Sequence, residues 1–396
     1  MFPSHRLDQV QASLTMAIDA KAKQYRAEGK DVLGLAAGEP DFTPPESVRR
    51  AAKEAIDAEK GRYTAVPGLP ELRAAAAGHF EASTGLSVRP EEVIVTSGAK
   101  QAIFNALYVL CDPGDEVLIP SPYWTSYPEM ARALGLKPVI CPGDDDLAVD
   151  PRSLAQGITD RTRAIILNSP SNPTGRVVTE KRLQQIADVL RPHPIWVISD
   201  DIYGRIVYDG FRFANLPMVD PSFQDRSILV DGMSKTFCMT GWRIGFAAGP
   251  QAVIMNMSKV QSHSTSCANT IAQWAAVAAL REVGDEEVHR MIEAYEARAT
   301  FLCGVLDSIP GLTTPRPEAA FYAFPNVSAY FGKTLDGREV DSAMSLAEML
   351  LDEELVAVVP GEAFGAPHHL RLSFALGMED LRRAAERLQR FFARLR

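Results

Sequence analysis

The chain has 396 residues, of which 46% are hydrophobic and 23% are charged, and this length predicts one large domain together with a smaller one. Its formal net charge of −9 argues against a nucleic-acid-binding protein, because such proteins present a basic face. The five cysteines are widely scattered and form no CxxC pair, which argues against a disulfide framework and a metal site and favours a reducing compartment.

The N-terminus reads as an amphipathic stretch from Leu7 to Tyr25. It lacks the basic segment followed by an apolar segment that a signal peptide requires. The chain also contains no run of about eighteen apolar residues, so no helix is expected to span a membrane. We therefore expect a soluble, cytoplasmic protein.

Between about residues 45 and 290, short apolar runs rich in β-branched residues alternate with helical segments. The runs lack polar alternation, which predicts strands buried on both faces, at residues 92–96, 116–119, 164–167, 195–199, 227–230 and 243–248. Helices are predicted between several of them, over residues 100–110, 127–134 and 180–190. Repeated strand–helix units predict an α/β fold, with a mostly parallel sheet and helices on both faces.

After about residue 290 the pattern changes to a smaller α+β unit. A long helix over residues 287–306 precedes short strands over residues 320–324, 356–359 and 370–374. The first 45 residues have no obvious place in the parallel sheet. The predicted division is therefore a large domain of residues 46–290 and a small domain of residues 1–45 and 291–396.

Polar residues follow the predicted strands at their carboxyl ends, where open α/β sheets bind ligands. Small residues in Thr96-Ser-Gly-Ala-Lys100 lead directly into a helix and would let a phosphate approach its N-terminus. Asn172 lies in a loop rich in proline, Asp200 and Tyr203 follow the fourth strand, and Lys235 follows the fifth. Taken singly, each of these residues could equally be part of a turn, cap a helix, pack in the core or lie on the solvated surface.

In this order, the motifs resemble the class I/II aminotransferases of pyridoxal-phosphate (PLP) fold type I. The similarity extends from Gly38-Glu-Pro-Asp41, through Asn172-Pro-Thr-Gly175 and Ser199-Asp-Asp-Ile-Tyr203, to Arg371. The segments Gly241-Trp-Arg-Ile-Gly245 and Thr270-Ile-Ala-Gln-Trp274 are most similar to the bacterial aspartate/aromatic branch. The resemblance implies PLP as cofactor, and amino acids and 2-oxo acids as substrates.

The resemblance also implies the catalytic roles. Lys235 would hold the cofactor as a Schiff base and then move a proton, which needs one amine able to act as nucleophile and base. Asp200 would keep the pyridine nitrogen protonated, so that the ring withdraws electrons. Tyr203 and Asn172 would donate hydrogen bonds to the phenolic oxygen of the cofactor, and Trp124 would stack on its ring.

The same resemblance places the cofactor phosphate on backbone donors of Gly98, Ala99 and Lys100 and on Arg243. Tyr63 is the best match to a tyrosine that reaches the phosphate from a partner subunit, which implies a homodimer with shared active sites. Gly232 replaces a serine or threonine that many relatives use, and Ser234 would supply the missing donor.

Arg371 would bind the α-carboxylate of the substrate through a two-pronged hydrogen bond, with Gly38, Trp124 and Asn172 beside it. Aspartate, broad-specificity or aromatic substrates are all compatible with these residues, and 2-oxoglutarate is an expected amino acceptor. Another PLP enzyme of the same fold, such as a carbon–sulfur lyase, is the alternative. A third possibility, a regulator fused to a DNA-binding domain, is disfavoured because the Gly38 motif starts too early in the chain.

Overall fold

The computed structural model describes residues 5–11 and 14–396, so residues 12 and 13 of the predicted amphipathic stretch lie outside it. The described chain begins with a 3₁₀ turn (His5–Leu7), helix α1 (Leu14–Ala27) and the short strand β1 (Leu33–Gly34). Nowhere in residues 5–11 or 14–396 does a helix have the length and apolar character needed to cross a membrane.

A seven-stranded sheet forms the centre of the molecule. Its strands are β2 (Val93–Thr96), β3 (Glu116–Ser121), β4 (Lys137–Pro142), β5 (Thr162–Asn168), β6 (Trp196–Asp200), β7 (Ser227–Gly232) and β8 (Gly245–Ala248). Their spatial order is β2-β8-β7-β6-β5-β3-β4, and only β8 runs antiparallel to its neighbours. This confirms the predicted mostly parallel sheet.

Helices cover both faces of this sheet. They are α2 (Glu46–Asp57), α3 (Pro70–Thr84), α4 (Ala99–Leu110), α5 (Ser126–Ala133), α6 (Pro151–Gly157), α7 (Glu180–Leu190), α8 (Leu216–Val219), α9 (Gln251–Ser262) and α10 (Thr270–Glu282). Side chains alternate along β2, so Val93 and Val95 pack into one apolar cluster and Ile94 into another. Fully buried strands of this kind have no polar face, which is why their sequences read as unbroken apolar runs.

The C-terminal unit is smaller and mixes helices with short strands. It consists of α11 (Asp285–Asp307), β9 (Tyr322–Ala323), β10 (Thr334–Leu335), β11 (Arg338–Glu339), α12 (Ala343–Glu354), β12 (Val356–Ala357), β13 (Val359–Pro360), β14 (Leu370–Ser373) and α13 (Met378–Arg394). β1 pairs in parallel with β12, and β13, β14 and β9 form an antiparallel sheet. The segment predicted as one strand over residues 356–359 is two strands, because its halves pair with different partners.

Two further differences from the predicted elements have local causes. β4 was not predicted, since its sequence Lys137-Pro-Val-Ile-Cys-Pro142 carries two prolines, which a sheet accepts at an edge strand such as this one. The strand predicted from Arg243 starts instead at Gly245, because Arg243 adopts a left-handed backbone conformation with φ 57°. That bend brings Arg243 toward the start of α4.

Candidate active site

A cavity of about 620 Å³ opens at the carboxyl ends of the central parallel strands. Pairing of Asn168 with Asp200, and of Asp200 with Val230, aligns the ends of β5, β6 and β7. Eleven of the predicted site residues line this cavity: Gly38, Ala99, Lys100, Trp124, Asn172, Asp200, Tyr203, Ser234, Lys235, Arg243 and Arg371. They come from both the central sheet and the C-terminal unit, so the fold itself assembles the site.

Asp200 ends β6 and is 3% exposed. The Tyr127 hydroxyl donates a hydrogen bond to Asp200 Oδ2 at 2.5 Å, and Asn168 Nδ2 donates to the Asp200 carbonyl at 2.8 Å. Burial raises the pKa of Asp200 to about 6, and the hydrogen bonds from Tyr127 and from the Ile202 N–H oppose that rise. A buried carboxylate of this kind is stabilised in its ionised form by a nearby cation, so it suits a protonated ring nitrogen.

Lys235 follows β7 by three residues, is half-buried and lines the cavity. Its Nζ donates a hydrogen bond to the Gly38 carbonyl. Burial, reinforced by the nearby charge of Arg371, lowers the pKa of Lys235 to about 8, against the opposing effects of Glu39 and Asp200. About a tenth of this amine is therefore neutral at pH 7, far more than for a lysine of ordinary pKa, and the neutral form is the one that acts as a nucleophile or base.

Arg371 lies on β14 and is 5% exposed. Its Nη1 donates to Asn172 Oδ1 at 3.0 Å, and its Nη2 donates to the Ala36 carbonyl at 2.6 Å. Its Nε is buried, yet it has no hydrogen-bond partner within the described residues. Burial lowers the pKa of Arg371, but a guanidinium stays charged at any physiological pH. An unsatisfied donor on a buried cation beside a cavity points to an anionic ligand.

The start of α4 is a second candidate site for an anion. Gly98 caps this helix with φ 86°, and a Cβ at this position would lie 2.4 Å from Arg243 Nη2. A Cβ on Gly245 would lie 2.2 Å from the Ala99 nitrogen. Glycine at both positions therefore lets β8 and Arg243 approach the N-terminus of α4. The Gly98 N–H there donates to the Thr96 carbonyl at 2.8 Å, which leaves the N–H groups of Ala99 and Lys100 to suit a phosphate.

A glycine also occupies position 232 for a steric reason. A Cβ there would lie 2.9 Å from both the Gly245 Cα and the Ile244 carbonyl oxygen. A serine or threonine would therefore require the β7 and β8 backbones to separate. Ser234, two residues later, lines the cavity and is the hydroxyl available on this segment.

Together these features meet the requirements of PLP. The cavity presents an amine with a lowered pKa, a buried carboxylate for the pyridine nitrogen, an aromatic side chain and a phosphate cradle. The Trp124 ring is held by Tyr127, with ring centroids 5.4 Å apart in an edge-on arrangement, and by Lys100 Nζ, 4.8 Å from its centroid. The residues present thus fit the cofactor.

Two predicted residues do not line the cavity, and two others were missed. Gly98 lies just behind it at the helix cap, and Tyr63 is 90% exposed on the segment between α2 and α3. Tyr127 and Tyr322 touch the predicted residues without having been assigned a role. Tyr127 follows Trp124 by three residues at the start of α5, a spacing that would have placed both on one face.

Comparisons with known proteins identify the family of this chain. The family model of aminotransferase class I and II matches residues 30–388. An aspartate/prephenate aminotransferase from Cereibacter sphaeroides is 44% identical over 100% of this chain and 99% of its own, and an aspartate aminotransferase from Geobacillus stearothermophilus is 42% identical over 98% of each.

Solved structures give the same result. The aspartate aminotransferase from Rhizobium meliloti superposes with a TM-score of 0.96 at 39% identity, covering 100% of both chains. The aspartate aminotransferase from Thermus thermophilus with maleate superposes with a TM-score of 0.92 at 41% identity, covering 99% of this chain and 100% of its own. The chain therefore belongs to the aminotransferase class I and II family and is a pyridoxal-phosphate-dependent transaminase that acts on amino acids and 2-oxo acids.

Proposed function

We propose that Lys235 is the catalytic residue that binds the cofactor and moves the proton during amino transfer, with Asp200 and Tyr203 as its catalytic partners. The observation that carries this proposal is the half-buried Lys235 amine on the cavity lining, whose pKa burial lowers to about 8. An amine with this pKa can attack an aldehyde and can also accept a proton from a substrate carbon at neutral pH.

The cofactor, when bound, supplies an electron-withdrawing ring that stabilises negative charge at the substrate carbon. Asp200 holds the proton on the ring nitrogen, and Tyr203 and Asn172 donate hydrogen bonds to the phenolic oxygen. Trp124 fixes the plane of the ring. The N–H groups of Ala99 and Lys100, the Ser234 hydroxyl and the Arg243 guanidinium would hold the phosphate, whereas the Gly98 N–H already donates to the Thr96 carbonyl at 2.8 Å.

Arg371 binds the α-carboxylate of the substrate, with the Gly38 backbone and the Asn172 amide beside it. The unsatisfied Arg371 Nε and the cavity next to it support this role. A carboxylate that meets the guanidinium in a two-pronged hydrogen bond would orient the Cα–H bond toward Lys235.

Aspartate is the preferred amino donor in this proposal, with an acidic 2-oxo acid as acceptor. The similar proteins carry that activity in their names, and Lys100 provides a side chain suited to a second carboxylate. Its pKa is lowered by burial and by Arg243, and its ammonium group faces the cavity above the Trp124 ring. A cation at this point would contact the distal carboxylate of a four- or five-carbon dicarboxylic acid.

The domains, assembly and compartment follow as parts of the same proposal. Residues 46–290 form the PLP-binding domain, and residues 1–45 and 291–396 form the small domain, as the β1–β12 pairing supports. The 90% exposure of Tyr63 supports a homodimer in which this side chain reaches the phosphate of the other subunit. All five cysteines are free thiols, which supports a cytoplasmic enzyme.

Reduction of the holoenzyme with borohydride tests the central assignment. We expect mass spectrometry of a digest to place the pyridoxyl group on Lys235, and Lys235→Ala to retain its fold while losing the label, the cofactor absorption band and turnover. A label on another lysine, or steady-state turnover by the variant, would overturn the assignment.

A half-reaction screen tests the substrate. Conversion of the bound cofactor to its amine form by each amino acid alone should be faster with aspartate than with alanine or phenylalanine. Equal rates for aspartate and alanine would reject the preference for a dicarboxylic acid.

A further inference from the structure

Two buried phenols lie beside Arg371 at the edge of the cavity. Tyr203, after β6, and Tyr322, on β9, have their hydroxyl oxygens 2.7 Å apart. Tyr203 lines the cavity, whereas Tyr322 has no exposed surface. The pair therefore joins a residue that faces the cofactor site to one that packs behind it, in the C-terminal unit.

Tyr322 is also in contact with Arg371. The guanidinium carbon lies 4.7 Å from the centroid of the Tyr322 ring. A Cβ on Gly38 would lie 3.1 Å from the Tyr322 hydroxyl and 3.7 Å from Arg371 Nη1, so both groups occupy the space beneath this glycine. Burial raises the pKa of Tyr322, and the charge of Arg371 opposes that rise. A cation in this position makes the Tyr322 hydroxyl a stronger hydrogen-bond donor.

The number of hydroxyl protons fixes what the pair can do. Each phenol carries one proton, and the bond between them uses only one. If Tyr322 donates to Tyr203, the proton of Tyr203 remains available for an acceptor in the cavity. The cation beside Tyr322 favours this direction of the hydrogen bond.

We propose that Tyr322 is a positioning residue: its hydroxyl donates to Tyr203, so that the Tyr203 hydroxyl donates its own proton to the phenolic oxygen of the cofactor. Through Tyr322, the net charge at Arg371 also changes the strength of the hydrogen bond from Tyr203 to the cofactor. The proposal rests on the proposed roles of Lys235, Tyr203 and Arg371. It adds a route through two phenols to the direct contact of Arg371 with Asn172.

The consequence concerns the proton on Lys235 Nζ. A hydrogen bond into the phenolic oxygen stabilises its negative charge, and so favours the state in which Nζ has lost its proton. A substrate carboxylate neutralises Arg371, weakens donation by Tyr322 and Tyr203, and leaves the proton more firmly on Nζ. Binding of a carboxylate at Arg371 would thereby raise the pKa of Lys235 Nζ in the holoenzyme.

The test is a spectrophotometric pH titration of the holoenzyme, with and without saturating maleate as an unreactive dicarboxylate. In Tyr322→Phe we expect the midpoint of the cofactor absorption change to rise by roughly 0.5 to 1 pH unit without maleate, the loss expected for one neutral hydrogen bond. The further rise that maleate causes in the wild type should be smaller in the variant.

Tyr208→Phe is the matched control. The Tyr208 hydroxyl is buried as well, but it donates to the Ala320 carbonyl at 2.6 Å, two residues before Tyr322. Loss of this hydroxyl would loosen the same segment without touching the chain of phenols. We expect both midpoints of this variant to match the wild type.

Equal midpoints in Tyr322→Phe and wild type, or equal shifts in both variants, would overturn the positioning role. Borohydride labelling of each holoenzyme separates the two proposals. A label on Lys235 with unchanged midpoints removes only the role of Tyr322. A label on another residue removes the proposed function and this inference together.

Discussion

Asp200→Asn should stabilise the cofactor-free protein while preventing tight cofactor binding. Burial holds the pKa of Asp200 at about 6 against an ordinary value of 3.8, a difference of about 2 units. At about 1.4 kcal/mol per unit, charging this carboxyl in the empty site costs about 3 kcal/mol. Asparagine removes that cost and can still accept the hydrogen bond from Tyr127.

The stability gained in Asp200→Asn should increase as the pH rises. Because the folded-state pKa is raised, the folded protein binds more protons than the unfolded chain between about pH 4 and pH 6, and Asp200 destabilises the fold increasingly as pH rises through that window. The advantage of the variant should therefore be about 1 kcal/mol at pH 4.5 and about 3 kcal/mol at pH 7.5.

Urea unfolding of the cofactor-free proteins at these two pH values measures the difference. Asp145→Asn, at an exposed position in the loop after β4, is the matched control and should leave stability nearly unchanged at both. A variant that is less stable than wild type at pH 7.5, or an advantage that does not grow with pH, would refute the reasoning. Cofactor affinity should fall in Asp200→Asn, since the ring nitrogen would lose the anionic partner that we propose for it.

Two further substitutions test the anion sites. Arg371→Lys should weaken binding of maleate to the holoenzyme by roughly 10- to 100-fold, because a lysine cannot form the two-pronged contact, while the cofactor dissociation constant stays nearly unchanged. Equal weakening of both would contradict the assigned role. Gly245→Ala should destabilise the protein by about 3 kcal/mol or more in urea unfolding, because its Cβ would lie 2.2 Å from the Ala99 nitrogen, a backbone atom that cannot move alone. Gly241→Ala, whose Cβ would meet nothing within 4 Å, is the control, and a loss of the same size there would reject the steric explanation.

The central sheet and the strand-end residues were predictable because their signals are local. A strand buried on both faces must be apolar along its whole length, and a ligand site at its end needs polar residues immediately after it. Asp200 and Lys235 satisfy this description within a few residues of sequence. β4 escaped prediction since its prolines mask the strand pattern that its edge position tolerates.

The connections within the site were not predictable in the same way. Tyr203 and Tyr322 are separated by 119 positions, and nothing near either one in the sequence indicates their hydrogen bond. The contact depends on how the C-terminal unit packs against the sheet. Tyr127 was predictable only in part. Its spacing from Trp124 places the two on one face, but its hydrogen bond to Asp200 depends on how α5 packs against the strand that carries Asp200.

The pairing of β1 with β12 has a consequence for biosynthesis. Leu33 finds its partner Val356 only after more than three quarters of the chain has been made, whereas every strand of the central sheet is complete by Ala248. Contacts between such distant segments form late, because a long loop must close first. On the ribosome, the residues of all seven central strands are therefore made before the β12 and β14 segments of the C-terminal unit exist.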